Sequence, residues 1–239
     1  MKEIVNRLHE NRQIELAKSI LESNGYEVSK KLTQEELDIV LSNHREYVVS
    51  SGNKGERANL QGVDLKGASL EDVYLQGADL NGANLKGANL RGANLEDVYL
   101  NGANLEGANL KGANLKGANL DGGANLRGAN LEGANLEESH FAGANLKGAN
   151  LVGADLWGAL LWYANLEGAN LRGADLEFCE FKNANLEGAN LEGANLYGAD
   201  LRDANLRGAN LEKADHLDLS NPRHAGANLK GAKGLPSRN

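Results

Sequence analysis

Few residues of this 239-residue chain have side chains that could do chemistry, and most stand at spacings that do not serve it. His216, Asp218 and His224 could offer two imidazoles and a carboxylate to a metal ion, but their separation matches no recurring ligand pattern, so they read as solvated tail residues. His9 and His44 fall in an N-terminal segment of helical pattern, and His140 takes an outward position in a repeat. Serine is sparse in the repeats, and no nucleophile has a base at a meaningful spacing. The single cysteine, Cys179, occupies a position that should point inward, where a thiol behaves as a small hydrophobe. Glycine is abundant, yet phosphate-cradling glycine loops need a longer strand running into a helix, which this stretch lacks. The expectation is no catalytic residue, no cofactor and no metal: not an enzyme.

Contact chemistry is better represented. Val152, Trp157, Leu160, Trp162, Tyr163 and Phe178 replace the charged, Asn and Gly residues that fill outward positions elsewhere, with Tyr197 following on a nearby turn. They are expected to form one exposed apolar patch around a corner, holding both tryptophans of the chain. Aromatic side chains in such a cluster are the anchors on which protein interfaces depend.

What must position them is a five-residue block, Ala-Asn-Leu-x-Gly, that recurs from Ala58 to Leu211. Leucine or phenylalanine stands at every fifth position from Leu60 to Leu120, and again from Leu126 to Leu211, with only Phe141 and Phe181 departing from leucine. In Ala83-Asn84-Leu85 the apolar residues lie two apart, so an extended backbone sends both to one side and the asparagine to the other. Lys86-Gly87 must then turn the chain, and glycine supplies the positive φ that a type II turn needs at its third residue. A helix is excluded: leucine at period five drifts around it, and each interior glycine would cost about 0.8–1 kcal/mol. Units that cannot bury an apolar face alone must stack, which makes the chain a solenoid of small polygonal section. The spacing by itself admits three or four sides.

These blocks resemble the pentapeptide-repeat family, whose consensus is alanine, aspartate or asparagine, leucine and two freer positions. His44-Arg45-Glu46-Tyr47 and the run Ser51 to Ala58 look like the lead-in that bacterial, cyanobacterial-like members carry. The resemblance implies an all-β solenoid, a right-handed quadrilateral β-helix of about eight coils, with a small α-helical N-terminal cap. Four-sided winding would stack Lys86 under Glu106 and Glu71 under Arg91, mixing signs within a column. It would also place Phe141, Leu161 and Phe181 on one side. Asp121-Gly122-Gly123 adds one residue, read as a bulge that keeps the inward register.

Residues 1–57 are different material. Ile4, Val5, Leu8, Ile14, Leu16, Ala17, Ile20 and Leu21 suggest one helix, ending near Asn24-Gly25. Thr33-Gln34-Glu35-Glu36 has the pattern of a capping box opening a second. The expected organisation is a helical cap over 1–57, the β-helix over 58–215 and an irregular closing segment over 216–239. No signal peptide or membrane-length apolar run occurs, so a cytoplasmic protein without membrane contact is expected. The net charge of −8 argues against direct nucleic-acid binding. The implied partner is an unidentified protein, or a second copy in a homodimer. The alternative, carried by one branch of the family, is a DNA mimic that binds DNA gyrase or another topoisomerase; lysine and arginine interrupt most of the acidic stripes such mimicry needs.

Overall fold

One unit accounts for all five of its backbone N–H groups, and this explains the consensus better than burial alone. In Ala103–Gly107, Ala103 donates to Leu100 O across the preceding turn at 3.0 Å. Asn104 donates to Ala83 of the coil before at 2.9 Å, while Leu105 and Gly107 donate to Asn125 and Arg127 of the coil after at 2.7 and 2.9 Å. The remaining N–H, that of Glu106, is taken by the Asn104 side chain at 3.1 Å. A buried or turn N–H left unpaired would cost about 1–3 kcal/mol, so the asparagine is part of the backbone's own hydrogen bonding.

The computed structural model describes residues 30–217 and 222–235. The chain divides into two compact units, Met1–Lys31 and Leu32–Asn239. Of the first, only the two-residue strand β1, Lys30–Lys31, is described; the helix expected over residues 4–21 lies outside the described residues. In the second unit, helix α1 spans Gln34–Val49. Thr33 and Glu36 form the expected capping box, each side chain taking the other's backbone N–H.

The repeats contain almost no continuous strand. Apart from β2, Val63–Asp64, each unit contributes a single residue to a parallel bridge with the next coil. Three-residue sides between turns are too short for a longer ladder. The bridges join residues 20 apart, as in Asn84↔Asn104 and Asn165↔Asn185, which makes four units per turn of the solenoid. Four faces follow, named here by their first central residue: Leu60, Leu65, Leu70 and Leu75. Their leucines and alanines fill one column, nearly all inaccessible to water. Phe141, Leu161 and Phe181 lie one above another on the Leu60 face, as their flanking bridges His140↔Leu160↔Glu180 require.

The insertion at Gly122-Gly123 behaves as expected. Asn104↔Asn125 and Asn119↔His140 are 21 apart, after which Asn125↔Asn145 returns to 20. Both glycines have positive φ, 70° and 85°, and Ala124 and Leu126 remain fully buried. Near the C-terminus, Asn205↔Asn228 and Asn210↔Lys233 bring two tail units back onto the Leu65 and Leu70 faces.

Helix α1 packs on the core through Leu37, with Leu32, Val40 and Leu41 partly buried beside it. His44 is fully buried, and its Nδ1 accepts the Ala58 N–H at 3.0 Å. Burial holds its pKa below the ordinary histidine value; the carbonyls of Gln76 and Leu75 oppose that shift and Arg57 adds to it. Arg45 lies 5.3 Å over the Tyr74 ring and Arg57 lies 5.0 Å over Tyr99, tying this segment to the Leu75 and Leu60 faces.

Candidate protein-contact face

The Leu65 and Leu70 faces are monotonous. Asparagines on the Leu65 face hydrogen-bond up the column, Asn125 to Asn104 at 3.2 Å, Asn145 to Asn125 at 3.1 Å and Asn205 to Asn185 at 2.9 Å. The Leu70 face repeats this with Asn109 to Asn89 and Asn150 to Asn130, both at 3.0 Å. Beside each ladder, charges pair one coil apart: Lys86–Glu106 and Lys147–Glu167 at 2.8 Å, Arg91–Glu71 and Lys111–Glu132 at 3.0 Å. The mixed-sign columns expected from the winding are therefore ion-pair ladders.

The corner between the Leu75 and Leu60 faces is different. Trp157 meets Phe178 edge-to-face with ring centroids 6.0 Å apart, Phe178 meets Tyr197 at 5.6 Å, and Tyr197 meets His216 at 5.2 Å. One ring per coil makes a continuous aromatic ladder up the Leu75 face, ending at an open hollow lined by Tyr197, Lys213, His216 and Arg223. Around the corner, Trp162 donates its indole N–H to Glu180 at 2.7 Å. Leu160 takes the place in the Leu60 column that asparagine holds on the other faces, bridged to His140 and Glu180.

Two of these aromatics sit where the repeat calls for glycine. Tyr163 and Phe178 have φ of 58° and 57°, the left-handed region that costs a side-chain-bearing residue about 1–2 kcal/mol. Tyr163 is nonetheless 68% exposed and Phe178 43%. Phe178 recovers part of that cost by lying across Gly198, where an added Cβ would stand 2.5 Å from its ring. Tyr163 makes no such contact among the ring pairs of the described residues.

Of the six residues expected in one patch, Trp157 and Phe178 touch directly, and Leu160, Trp162 and Tyr163 occupy the adjoining Leu60 face. Val152 stands on the Leu70 face, its carbonyl accepting from Gly133 in the coil before. Tyr197 and His216 complete the ladder. The sequence signal for Phe178 and Tyr163 was a side chain at the glycine position. His216 gave none, because the repeat had already lost its period there.

Several carboxylates at this corner lack counter-ions. Glu138, Asp155, Asp175, Glu177 and Glu180 make no ion pair among the described residues. Asp155 and Asp175 bridge one above the other, with neither carrying the amide that an asparagine would use to link them. Glu138 reaches over Gly158, beside Trp157. At the C-terminal side Asp200, 4% exposed, is clamped by Arg202; burial raises its pKa, but the Arg202 bonds outweigh this and hold it below the ordinary value.

No three His, Cys, Asp or Glu side chains converge as a metal site among the described residues; Asp218 lies outside them. Cys179 is buried, its Sγ–H directed at Leu156 O at 2.9 Å, and burial pushes its pKa far up, so it stays a thiol. No described helix is long and apolar enough to cross a membrane.

A solenoid of four five-residue sides per turn, with its chemistry on the outer faces, defines a class of β-helical repeat protein. The profile for pentapeptide repeats matches in eight copies, within residues 56–92, 88–122, 123–158, 149–188 and 179–215, and the chain belongs to that family. Its members fold as right-handed quadrilateral β-helices. Among solved structures, the chain is similar to HetL from the cyanobacterium Nostoc sp. strain PCC 7120, a pentapeptide repeat protein involved in heterocyst differentiation regulation. The two are 31% identical over 84% of this chain and 94% of HetL, with a TM-score of 0.44. It is also similar to QnrB1, a plasmid-mediated fluoroquinolone resistance protein, at 21% identity over 74% and 83% of the two chains and a TM-score of 0.44. Rfr23 from the cyanobacterium Cyanothece 51142 is 35% identical over 51% and 61%, with a TM-score of 0.22. No curated protein sequence matches the chain significantly.

Proposed function

We propose that this protein is a non-enzymatic scaffold that acts through protein contacts at the corner between the Leu75 and Leu60 faces. The observation that carries this is Tyr163, a large side chain held at φ 58° and 68% exposed in a glycine position. Such a residue lowers the stability of the isolated fold and contributes nothing to its core, so its use lies outside the fold. On this reading about eight coils form a rigid rod, and helix α1 closes its first coil, as solenoid ends require. The burial of Leu37 and His44 supports the capping role.

A DNA mimic directed at gyrase or another topoisomerase would need continuous acidic stripes. The ion-pair ladders break up the acidic character of the Leu65 and Leu70 faces, while Glu138, Asp155, Asp175, Glu177 and Glu180, none of them in an ion pair among the described residues, gather at the aromatic corner. Replacing Trp157 and Trp162 by lysine tests the contact reading. The double variant is expected to keep the parent melting temperature and to lose self-association in sedimentation, or capture of whatever the parent captures. If it folds and still binds everything the parent binds, the contact reading is wrong. Inhibition of gyrase supercoiling by parent and variant alike would move the function to the mimic.

A further inference from the structure

We infer that the corner takes an arginine-bearing, extended segment of a partner protein, with guanidinium groups stacked on Trp157 and Trp162 and paired with Glu138, Glu177 and Glu180. This rests on the contact reading above and names the chemistry of its partner.

Three observations converge on that partner. The first is charge. On the Leu65 and Leu70 faces Glu71, Glu106, Glu132 and Glu167 are each matched by a lysine or arginine one coil away, at 2.8–3.0 Å. Around the tryptophans the same outward positions hold carboxylates and rings, and Glu138, Glu177 and Glu180 form no ion pair among the described residues, Lys116 and Arg202 acting on Glu138 and Glu180 only at longer range. Lys182, one coil beyond Trp162, and Arg202, already tied to Asp200, bound this window on its C-terminal side. Lys116, tied to Glu137 at 2.5 Å, bounds it on the other. The complementary ligand is cationic between those limits.

The second is geometry. Trp157 lies in the column between Glu137 and Glu177, and Trp162 already holds Glu180 through its indole N–H. Trp162 therefore has a carboxylate at its edge, and Trp157 has carboxylates in its own column one coil to either side. Arginine suits this arrangement better than lysine, because a planar guanidinium stacks on the ring while its N–H fork reaches the adjacent carboxylate.

The third is that the molecule already uses this chemistry on the same two faces. Arg45 and Arg57 lie over Tyr74 and Tyr99, which stand in the outward columns of the Leu75 and Leu60 faces. Arg57 also donates from Nε to Gly77 O at 2.5 Å, so the guanidinium bonds to the coil while covering a ring. At the N-terminal end the chain supplies its own arginines; among the described residues no arginine lies over either tryptophan.

The test uses a labelled synthetic arginine–glycine repeat peptide at about 0.15 M salt, where the Debye length is about 8 Å and diffuse attraction is damped. Binding is read by peptide anisotropy and by intrinsic tryptophan fluorescence, which reports on this corner alone because Trp157 and Trp162 are the only tryptophans. Saturable binding with a fluorescence change is expected, and a lysine–glycine peptide should bind more weakly. Two variants carry the same change in net charge: E138Q/E177Q/E180Q at the corner and E106Q/E167Q/E187Q on the Leu65 face. The first should weaken binding by at least about 10-fold and the second by less than about 2-fold. Equal weakening by both would reduce the attraction to net charge and overturn the inference. So would absence of peptide binding. In that case, if W157K/W162K still loses its native partner, the contact reading survives and only this chemistry falls; if W157K/W162K keeps that partner, both fall.

Discussion

The Leu65 and Leu70 faces and the corner between the Leu75 and Leu60 faces rest on the same leucine column, yet they handle their outer atoms in opposite ways. On the first two, the asparagine before most leucines accepts a turn N–H and donates to its counterpart in the coil before, as Asn125 accepts from Arg127 N–H and donates to Asn104 Oδ1. Where these ladders run, as at Lys86–Glu106 and Lys111–Glu132, both charges find their partners within the fold. At the corner Leu160 and Glu180 replace asparagine, aromatics replace glycine, and carboxylates stand without cations. The contrast shows that the repeat is self-sufficient where it is regular, so departures from it that bring strain and unpaired charge are candidates for function rather than fold.

If the two regions share one core, a substitution beneath the regular face should produce the largest effect. Leu146→Ala, under the Leu65 face, is expected to cost about 2–5 kcal/mol in chemical denaturation through lost burial and a cavity. Lys147→Ala on the outside of the same unit should change stability by under about 1 kcal/mol. Equal effects would show that the column is not the seat of stability. Next in size is the ladder. Asn145→Ala removes the acceptor for Lys147 N–H and the donor to Asn125 Oδ1, and should cost about 1–2 kcal/mol. Leu160→Asn at the corner restores the missing side chain and should not destabilise; a loss as large as that of Asn145→Ala would erase the distinction.

Much of this was legible from residue types. The period of five placed Leu146 and its neighbours inward and the positive-φ glycines at the turns, and the Thr-x-x-Glu spacing placed Thr33 and Glu36 as a capping box. The mixed signs of Lys86 and Glu106 foretold a pair. The asparagine's double task was not legible, because the consensus shows only that the residue points outward; its partners appear once coils are stacked 20 residues apart. The aromatic ladder was half visible. Trp157 and Phe178 stood out as departures from the pattern, whereas Val152 departs equally and lies on another face. Composition at an outward position does not say which outward positions are neighbours.

The strain at the corner gives a smaller effect of opposite sign. Tyr163→Gly removes a Cβ from a left-handed position and should raise stability by about 1 kcal/mol, seen as a higher denaturation midpoint. Phe178→Gly should gain less or nothing, because it gives up the edge-to-face contacts with Trp157 and Tyr197. If Tyr163→Gly destabilises, the tyrosine serves the fold and the case for an external role loses its main support.

The smallest effect concerns charge on the regular faces. Lys86 donates to Glu106 at 2.8 Å, and that hydrogen bond, with the lysine's charge, lowers the glutamate's pKa below its ordinary value; partial burial opposes the shift and Arg127 adds to it. A carboxyl whose folded pKa is depressed adds stability that is present above its unfolded pKa and is lost as pH falls through the folded value. The pair is solvent-exposed, so the consequence for stability is slight, and the titration itself is the better readout. Carboxyl NMR of the parent should show Glu106 titrating below a free glutamate. Lys86→Met should move it back up toward that value, and Lys147→Met, on the same face two coils beyond Glu106, should leave Glu106 where it was. If Glu106 does not respond to loss of Lys86, the ladders of the Leu65 and Leu70 faces are not paired in solution. The corner's unpaired carboxylates would then no longer set it apart, and the contrast between the two regions would rest on its aromatic residues alone.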